Sequence, residues 1–536
     1  MRYILLIVFF ALILCVSDTG PYMTIIPRQT DDGIIKLNPE DERRLKRDIA
    51  YFKTQIDQNP SNPNPDHFYN LGLAALSLGK METAAAAFEV VATLRPSDGE
   101  VLFNLGVVYV RQERYDKAVE LFGRSLTVEP RNAKTHFNLG MAYDRQTRYV
   151  EAVKSLAQAT QLEPNNAEFH YQRGKVEERL GALGDAVASY TNAVTLNPGI
   201  AVFHEALGMA LAKQQRYEEA RTAFRKTLSL DSRRAEAHYQ LGTVALTEGK
   251  IGEAISAYET AVQLDGSYSE ALSGLGLALF RDGRPEEAID IYERAVETDS
   301  LSASIRYGLG MVYAQTGRHE DAEKAFRKAI EINPFYPEPH LSLGNTLTAL
   351  RKNTDAEKYL ARFKQLNALQ DQLTQAADLV GRHPHVAEAH YNLATASTRL
   401  GRYEEAVGEF KIAVDLAPRF VQAYNNLGVA YVELGRTEEA RTAYQQALLI
   451  DSTYVDAYTN LAWLYANYGK DLDRALDLAQ KAVRLSPTAA AYETLAIVYH
   501  ARNTQRPAEE AIQKAFALEP DNLPLRQRWQ ALKNAP

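Results

Sequence analysis

Apolar residues recur at spacings of three and four along the chain from residue 65 to residue 522. This spacing places apolar side chains on one face of a helix, so the pattern predicts a long succession of amphipathic helices. Short turns, such as Gly401-Arg402, separate neighbouring helical segments. The sequence therefore predicts an all-α protein built from helix–turn–helix hairpins.

The pattern repeats every 34 residues. Counted in units from Pro65, nine successive units carry glycine at the eighth position and alanine at the twentieth. The glycines are Gly72, Gly106, Gly140, Gly174, Gly208, Gly242, Gly276, Gly310 and Gly344. Small residues let two helices approach closely, where a larger side chain would overpack. Since one hairpin cannot bury its apolar faces alone, the units are expected to stack into a solenoid.

These positions resemble the tetratricopeptide repeat family, whose pattern is aromatic, Leu-Gly, Tyr, Ala, aromatic, Ala, Pro. The second unit carries Leu105-Gly106, Tyr109, Ala118, Phe122 and Pro130. About thirteen such units fill residues 65–522. The resemblance implies a right-handed superhelical solenoid of antiparallel helical hairpins. It does not name a partner, because the family binds many unrelated proteins.

A slip in the period interrupts the array after the ninth unit. Units one to nine are assigned to residues 65–370 and units ten to thirteen to residues 387–522. The segment 354–380 has no glycine or proline and keeps its apolar periodicity, which predicts one helix of about 40 Å. Gly381 is expected to end this helix as its C-terminal cap. The long helix, with its extension at 371–386, is predicted to divide nine units from four.

The two ends of the array are predicted to be covered, because the terminal units of a solenoid expose an apolar face. Residues 38–64 are assigned to an N-terminal capping helix and half-repeat, and residues 523–536 to a C-terminal capping helix. Residues 18–37 are assigned to a linker.

The extreme N-terminus carries an apolar run from Tyr3 to Val16 behind Arg2. Its fourteen residues would form a helix of about 21 Å, short of the roughly 30 Å hydrocarbon core of a bilayer. Residues 1–17 therefore resemble a secretory signal or N-terminal anchor. Cleavage, retention as a membrane tether, and lipidation at Cys15 all remain open. We expect the protein to be exported, either periplasmic or secreted.

Composition excludes several functions. The net charge is −8, so the chain lacks the basic footprint of a nucleic-acid-binding protein. Cys15 is the only cysteine, which rules out an internal disulfide and a thiolate metal site.

Histidine occupies the fourth position of six units. These residues are His136, His170, His204, His238, His340 and His390. Helices of neighbouring units lie about 8–10 Å apart, too far for a shared zinc ion with bonds of about 2.0–2.1 Å to several such rings. The rings are therefore interpreted as packing residues, and we predict no metal and no cofactor. His204-Glu205 and His319-Glu320 lack the second histidine of a zinc peptidase, so no catalytic residue is assigned.

A basic residue stands in the turn of most units, as in Arg402, and acids follow it at the start of the next helix. This order complements both helix dipoles, so the column is interpreted as structural charge placement.

The remaining candidate is the concave face, which the first helix of each unit lines in the family. Asparagine amides can bond a peptide backbone, aromatic rings add contact area, and arginines favour carboxylates. The predicted contacts are Tyr69, Asn70, Phe103, Asn104, Arg111, Phe137, Asn138, Arg145, Tyr171, Arg179, Asn392, Asn426 and Asn460. The expected function is a non-enzymatic scaffold that binds proteins or peptide segments and assists assembly or export of envelope or secreted proteins. A membrane-tethered scaffold of a multi-protein complex is the alternative, and an enzyme with an unrecognised site is a third.

Overall fold

A computed structural model describes residues 38–58, 63–468 and 471–534. Over these residues the chain is entirely helical, with 28 helices and no strand. The predicted signal at 1–17 and the linker at 18–37 lie outside the described residues.

The helices pack into two compact units, one ending at Val176 and the other beginning at Glu177. The first unit contains helices α1 to α7 and the start of α8. Their bounds are α1 Pro39–Gln58, α2 Pro65–Ser77, α3 Met81–Leu94, α4 Gly99–Arg111, α5 Tyr115–Val128, α6 Ala133–Arg145, α7 Tyr149–Leu162 and α8 Ala167–Arg179.

The second unit contains the end of α8 and all later helices. Their bounds are α9 Leu183–Leu196, α10 Ala201–Lys213, α11 Tyr217–Leu230, α12 Ala235–Thr247, α13 Ile251–Leu264, α14 Ser269–Arg281, α15 Pro285–Thr298, α16 Ala303–Gln315, α17 His319–Ile332, α18 Pro337–Ala349, α19 Asn353–Arg382, α20 Ala387–Arg399, α21 Tyr403–Leu416, α22 Val421–Glu433, α23 Thr437–Ile450, α24 Val455–Tyr468, α25 Leu472–Leu485, α26 Ala489–Ala501, α27 Gln505–Leu518 and α28 Leu523–Asn534.

The boundary between the two compact units falls within α8, and the division of the array at the long helix stays a prediction. The long helix α19 packs against α18 as the two helices of an ordinary hairpin do, and against α20 as helices of successive hairpins do. Helix α8 carries Arg173 at the seventh position of its unit, where the twelve other units carry leucine. The apolar core thus loses a packing residue at the helix where the units meet.

Every hairpin whose turn lies wholly within the described residues turns through one residue with a left-handed backbone. Gly79, Gly283 and Gly435 have φ of 71°, 81° and 72°, while Glu113 and Thr147 adopt the same conformation at 58° and 62°. The left-handed residue lets the next backbone N–H reach a carbonyl near the end of the first helix, as in a helix C-cap.

Close helix packing explains the glycine column at the eighth position. A Cβ at Gly428 would lie 2.4 Å from a ring carbon of Tyr444, and one at Gly106 would lie 2.6 Å from a ring carbon of Phe122. Phe122 is fully buried. The aromatic residue of the second helix therefore fills the space that glycine leaves open.

The basic column in the turns is structural, as its charge order predicts. Arg148 donates from Nε to Glu151 at 2.9 Å, and its guanidinium lies 4.4 Å from the ring centre of Tyr143. Arg436 repeats this arrangement with Glu439 at 2.9 Å and Tyr431 at 4.7 Å. An ion pair and a cation–π contact thus hold these turn residues.

The long helix does not end at Gly381, and that expectation is wrong. Helix α19 continues to Arg382, and its C-cap is His383. His383 precedes Pro384, whose ring disfavours the helical conformation of the residue before it. Proline, not a left-handed glycine, therefore ends this helix.

The second half of α19 packs against the turn between α8 and α9. A Cβ at Gly181 would lie 2.8 Å from Cγ1 of Val380, and Val380 is buried. Leu180 and Ala182, on either side of this glycine, are 1% and 4% exposed. Ala182 occupies the turn position that holds lysine or arginine in most other units, and a charged side chain would lose its hydration there.

Candidate peptide-binding surface

The first helices of successive units contact one another in each compact unit, as α4 does α6 and α12 does α14. Within the described residues, the second helices of successive units do not approach one another as closely. The first helices therefore lie on the inner side of each stack, and in each compact unit their exposed side chains form a surface. We call it the first-helix surface.

Two predicted peptide contacts in the first compact unit are buried. Asn104 is 3% exposed, and its Nδ2 donates to the hydroxyl of Tyr69 at 3.0 Å. Tyr69 in turn donates to Glu100 at 2.7 Å, and burial raises its pKa. Phe103 is 8% exposed and packs beside Phe122. Asn104 therefore links two neighbouring repeat units, and Phe103 packs within its own repeat unit. Their predicted contact with a peptide stays a prediction.

The other asparagines also have hydrogen-bond partners, with one exception. Asn70 and Asn138 donate to carbonyl groups of their own helices at 2.8 and 2.9 Å. Asn426 donates to Tyr391 at 3.1 Å, and Asn460 donates to Asn425 at 3.0 Å. Asn392 is exposed and forms no hydrogen bond with the described residues. Peptide binding by these asparagines stays a prediction, and Asn392 is the one whose amide has no partner among the described residues.

The remaining aromatic candidates are half-buried. Phe137 stacks on Phe169 with ring centres 4.6 Å apart, and the ring of Tyr171 lies 5.5 Å from Nζ of Lys175. Each ring is held by a neighbour and keeps some surface open to solvent.

The arginine candidates are accessible. Arg111, Arg145 and Arg179 are all exposed. Among the described residues Arg111 and Arg145 form no ion pair, in contrast to turn arginines such as Arg148. Partial desolvation by the surrounding protein lowers the pKa of Arg111. A guanidinium that has lost part of its hydration and has no carboxylate partner is stabilised when an anionic ligand binds to it.

The histidine column has a structural role. In each case Nε2 lies within hydrogen-bond distance of the carbonyl oxygen six residues earlier, at 3.0 Å for His136 and Pro130 and 3.1 Å for His340 and Pro334. Burial lowers the pKa of His340, which keeps this ring neutral. The sequence contained the signal for this contact, because proline precedes most of these histidines by six residues.

Two further kinds of site are absent from the described residues. No group of three or more histidine, cysteine or acidic side chains there could hold a metal ion. None of the described helices combines the length and the apolar character that a bilayer crossing requires.

Several solved structures are similar to parts of the chain. YrrB, a tetratricopeptide repeat protein with an unusual peptide-binding site, is 25% identical over 34% of this chain and 94% of its own, with a TM-score of 0.30. A tetratricopeptide repeat protein from Parabacteroides merdae is 19% identical over 46% and 98%, with a TM-score of 0.39. The Cut9–Hcn1 hetero-tetramer is 14% identical over 90% and 98%, with a TM-score of 0.34. No curated protein matches the chain.

Two family models, both described as tetratricopeptide repeat, match the sequence. One matches residues 49–99, 69–127, 137–201, 205–269, 239–303, 273–337, 370–419, 399–454 and 425–490, and the other matches residues 99–165. Together the matches cover well over half of the 536 residues. The stacked antiparallel hairpins agree with these matches, and the chain belongs to the tetratricopeptide repeat family.

Proposed function

We propose that this protein is an exported, non-enzymatic scaffold that binds extended, acidic segments of other proteins on its first-helix surface. Its cellular role in this proposal is to assist assembly or export of envelope or secreted proteins. Members of the family generally act as protein-binding scaffolds, and the repeats fill most of this chain.

The observation that carries the proposal is the pair of exposed, unpaired arginines on neighbouring first helices. Arg111 ends α4 and Arg145 ends α6, at the same position of successive units. Guanidinium groups bind carboxylates in bidentate geometry. The half-buried Phe137 and Tyr171 are further candidate contacts on the same surface. In the second compact unit, the exposed Arg179 and Asn392 are candidate contacts on its own first-helix surface.

Selection from a library of random peptides tests the binding proposal. The full-length protein should enrich peptides rich in Asp and Glu. Replacing Arg111 and Arg145 together by Gln should weaken binding of the selected peptides by about tenfold or more, because each removed guanidinium takes away a charge-assisted bond.

The control is the double variant Arg124→Gln with Arg131→Gln. Both residues are exposed, one on the second helix α5 and one in the following loop, and the change in net charge is the same. This control should bind normally. Equal weakening of both double variants, or selected peptides without excess acidic residues, would contradict the proposal.

Export is proposed from the apolar run Tyr3 to Val16, which lies outside the described residues. Replacing Leu6 and Phe9 by Asp should retain the protein in the cytoplasm. In the matched control, Ile25 and Ile26, which lie beyond the run, are replaced by Asp, and this variant should still be exported. Identical fractionation of the two variants would overturn the export proposal.

The membrane-tethered scaffold is the second candidate, because the same run retained after export would anchor the chain. Alkaline carbonate extraction of isolated membranes distinguishes the two. An anchored protein stays in the pellet, and a released protein is found in the supernatant.

A further inference from the structure

A small cavity lies between the second helix of unit eleven, α23, and the two helices of unit twelve, α24 and α25. Its volume is about 210 Å³. Its polar lining consists of Thr437, Glu438 and Arg441 on α23, Tyr465 and Tyr468 on α24, and Asp471 and Arg474 at the start of α25. The two arginines and the two acidic residues balance in charge. Arg441 lies on a second helix, so this site is distinct from the first-helix surface.

Two hydrogen-bond donors in this lining have no partner among the described residues. They are Nε of Arg441 and the hydroxyl of Tyr465, and both atoms are buried. Tyr465 as a whole is 7% exposed. Glu438 holds the Nη2 end of Arg441 at 2.5 Å and leaves Nε unpaired. A buried donor without an acceptor costs free energy, so each of these two groups would gain from an acceptor in the cavity.

The same position of another unit shows which acceptor suits the arginine. Arg221 and Arg441 are both the twenty-first residue of their units. Arg221 forms an ion pair with Glu248, the fourteenth residue of the following unit, and its Nη1 lies 3.5 Å from Glu253. After Arg441 the fourteenth position holds Tyr468. Arg441 therefore keeps Glu438 of its own helix but lacks the carboxylate from the following unit that Arg221 receives.

Comparison of Tyr465 with the same position of another unit also points to a carboxylate. Tyr313 and Tyr465 are both the eleventh residue of their units, and Tyr313 donates to Glu293 of the preceding unit at 2.8 Å. The residue equivalent to Glu293 before Tyr465 is Gln445. Arg221 and Tyr313, the equivalents of the two unpaired donors in other units, thus each bind a carboxylate of a neighbouring unit.

We propose that this cavity binds a carboxylate group, from either a small free organic acid or an acidic side chain of a partner protein. Nε of Arg441 and the hydroxyl of Tyr465 donate to it, and the guanidinium of Arg474, 5.5 Å from the centre of the Tyr465 ring, adds positive charge. The volume is below the roughly 300 Å³ of typical cofactor pockets, which limits the occupant to a group of this size.

Calorimetric titration of the full-length protein tests the site with two probes at matched sodium chloride concentration. One probe is sodium succinate, and the other is the blocked peptide acetyl-Ala-Glu-Ala-amide. Saturable binding of succinate alone identifies a free acid as the source, and binding of the peptide alone identifies a partner side chain. No binding of either probe below about 10 mM would overturn the proposal.

Two near-isosteric variants link binding to the cavity. Arg441→Gln and Tyr465→Phe should each weaken binding by about tenfold or more. Arg419→Gln changes the charge equally at an exposed position outside the cavity lining and should bind as the unaltered protein does. Equal weakening in Arg419→Gln would show general electrostatics and overturn the site.

A third variant does not depend on removing a buried group. Tyr468→Glu places a carboxylate at the position that Glu248 occupies relative to Arg221. It should abolish binding of both probes and raise the thermal midpoint of the protein, because Arg441 then gains an internal partner. Unchanged probe binding in Tyr468→Glu would contradict the assignment of Arg441.

Discussion

Replacing Asn104 by Ala tests whether the asparagine column is structural. Asn104 is 3% exposed and donates one hydrogen bond, 3.0 Å long, to Tyr69. Loss of that bond costs about 0.5–1.5 kcal/mol, and the space left by the amide adds to this. Tyr69 keeps its bond to Glu100, so its hydroxyl is not left unpaired. We expect a loss of about 1–2 kcal/mol in the local free energy of opening.

The matched control is Asn138→Ala at the same position of the next unit. Asn138 is half-buried, and its amide bonds only to a carbonyl of its own helix. Alanine has the higher helix propensity, so this change should stay within about 0.5 kcal/mol.

Native-state hydrogen exchange of the full chain measures the effect locally, over α2 to α5 for Asn104→Ala. A global unfolding curve would average over many units. Equal protection in the two variants, together with weaker peptide binding by Asn104→Ala, would refute the structural role and return Asn104 to the binding surface.

Three further outcomes are expected. Gly428→Ala puts a Cβ 2.4 Å from a tyrosine ring carbon and should lower the free energy of unfolding by about 1–3 kcal/mol. Gly408→Ala, whose Cβ would have nothing within 4 Å, should raise it by about 0.5–1 kcal/mol. Equal unfolding free energies of the two variants in urea denaturation would contradict the packing. Burial raises the pKa of Tyr258 from 10.0 to about 12, so the stability that this tyrosine contributes is complete below pH 10 and is lost as the pH rises towards 12. The thermal midpoint of Tyr258→Phe should therefore fall less between pH 10 and 12 than that of the unaltered protein. An equal fall in both proteins would contradict the role of Tyr258. Gly181→Cys with Val380→Cys, in a chain without its native cysteine, should form a disulfide in air, visible as altered mobility in non-reducing electrophoresis; a fully reduced product would contradict the contact.

The hairpins could be predicted because their geometry depends on residues within one period. Gly428 and Tyr444 belong to the same unit, and their contact recurs in other units with the same residue types. The meeting of the compact units within α8 was not predicted, because it depends on packing among many hairpins. The same holds for the contact between Gly181 and Val380, which are far apart in sequence.

The hydrogen bonds of the asparagine column were not predicted, because each side chain was considered within its own unit. Asn104 follows Tyr69 by one unit and finds a hydroxyl, whereas Asn138 follows Phe103 and finds none. Asn426 after Tyr391 repeats the first case. The fifth residue of the preceding unit therefore decides where the amide bonds, and a comparison across two units contains that signal.

The contact between the α8–α9 turn and the end of α19 limits how this array can change in evolution. Repeat arrays commonly gain or lose whole hairpins, because each hairpin contacts mainly its neighbours. Duplication or deletion of a hairpin between Gly181 and Val380 would shift the partners by one repeat and expose Leu180 and Ala182. The hairpins after α20 carry no such constraint from this contact. We therefore expect the number of repeats to vary less between these two points than in the C-terminal part of the array.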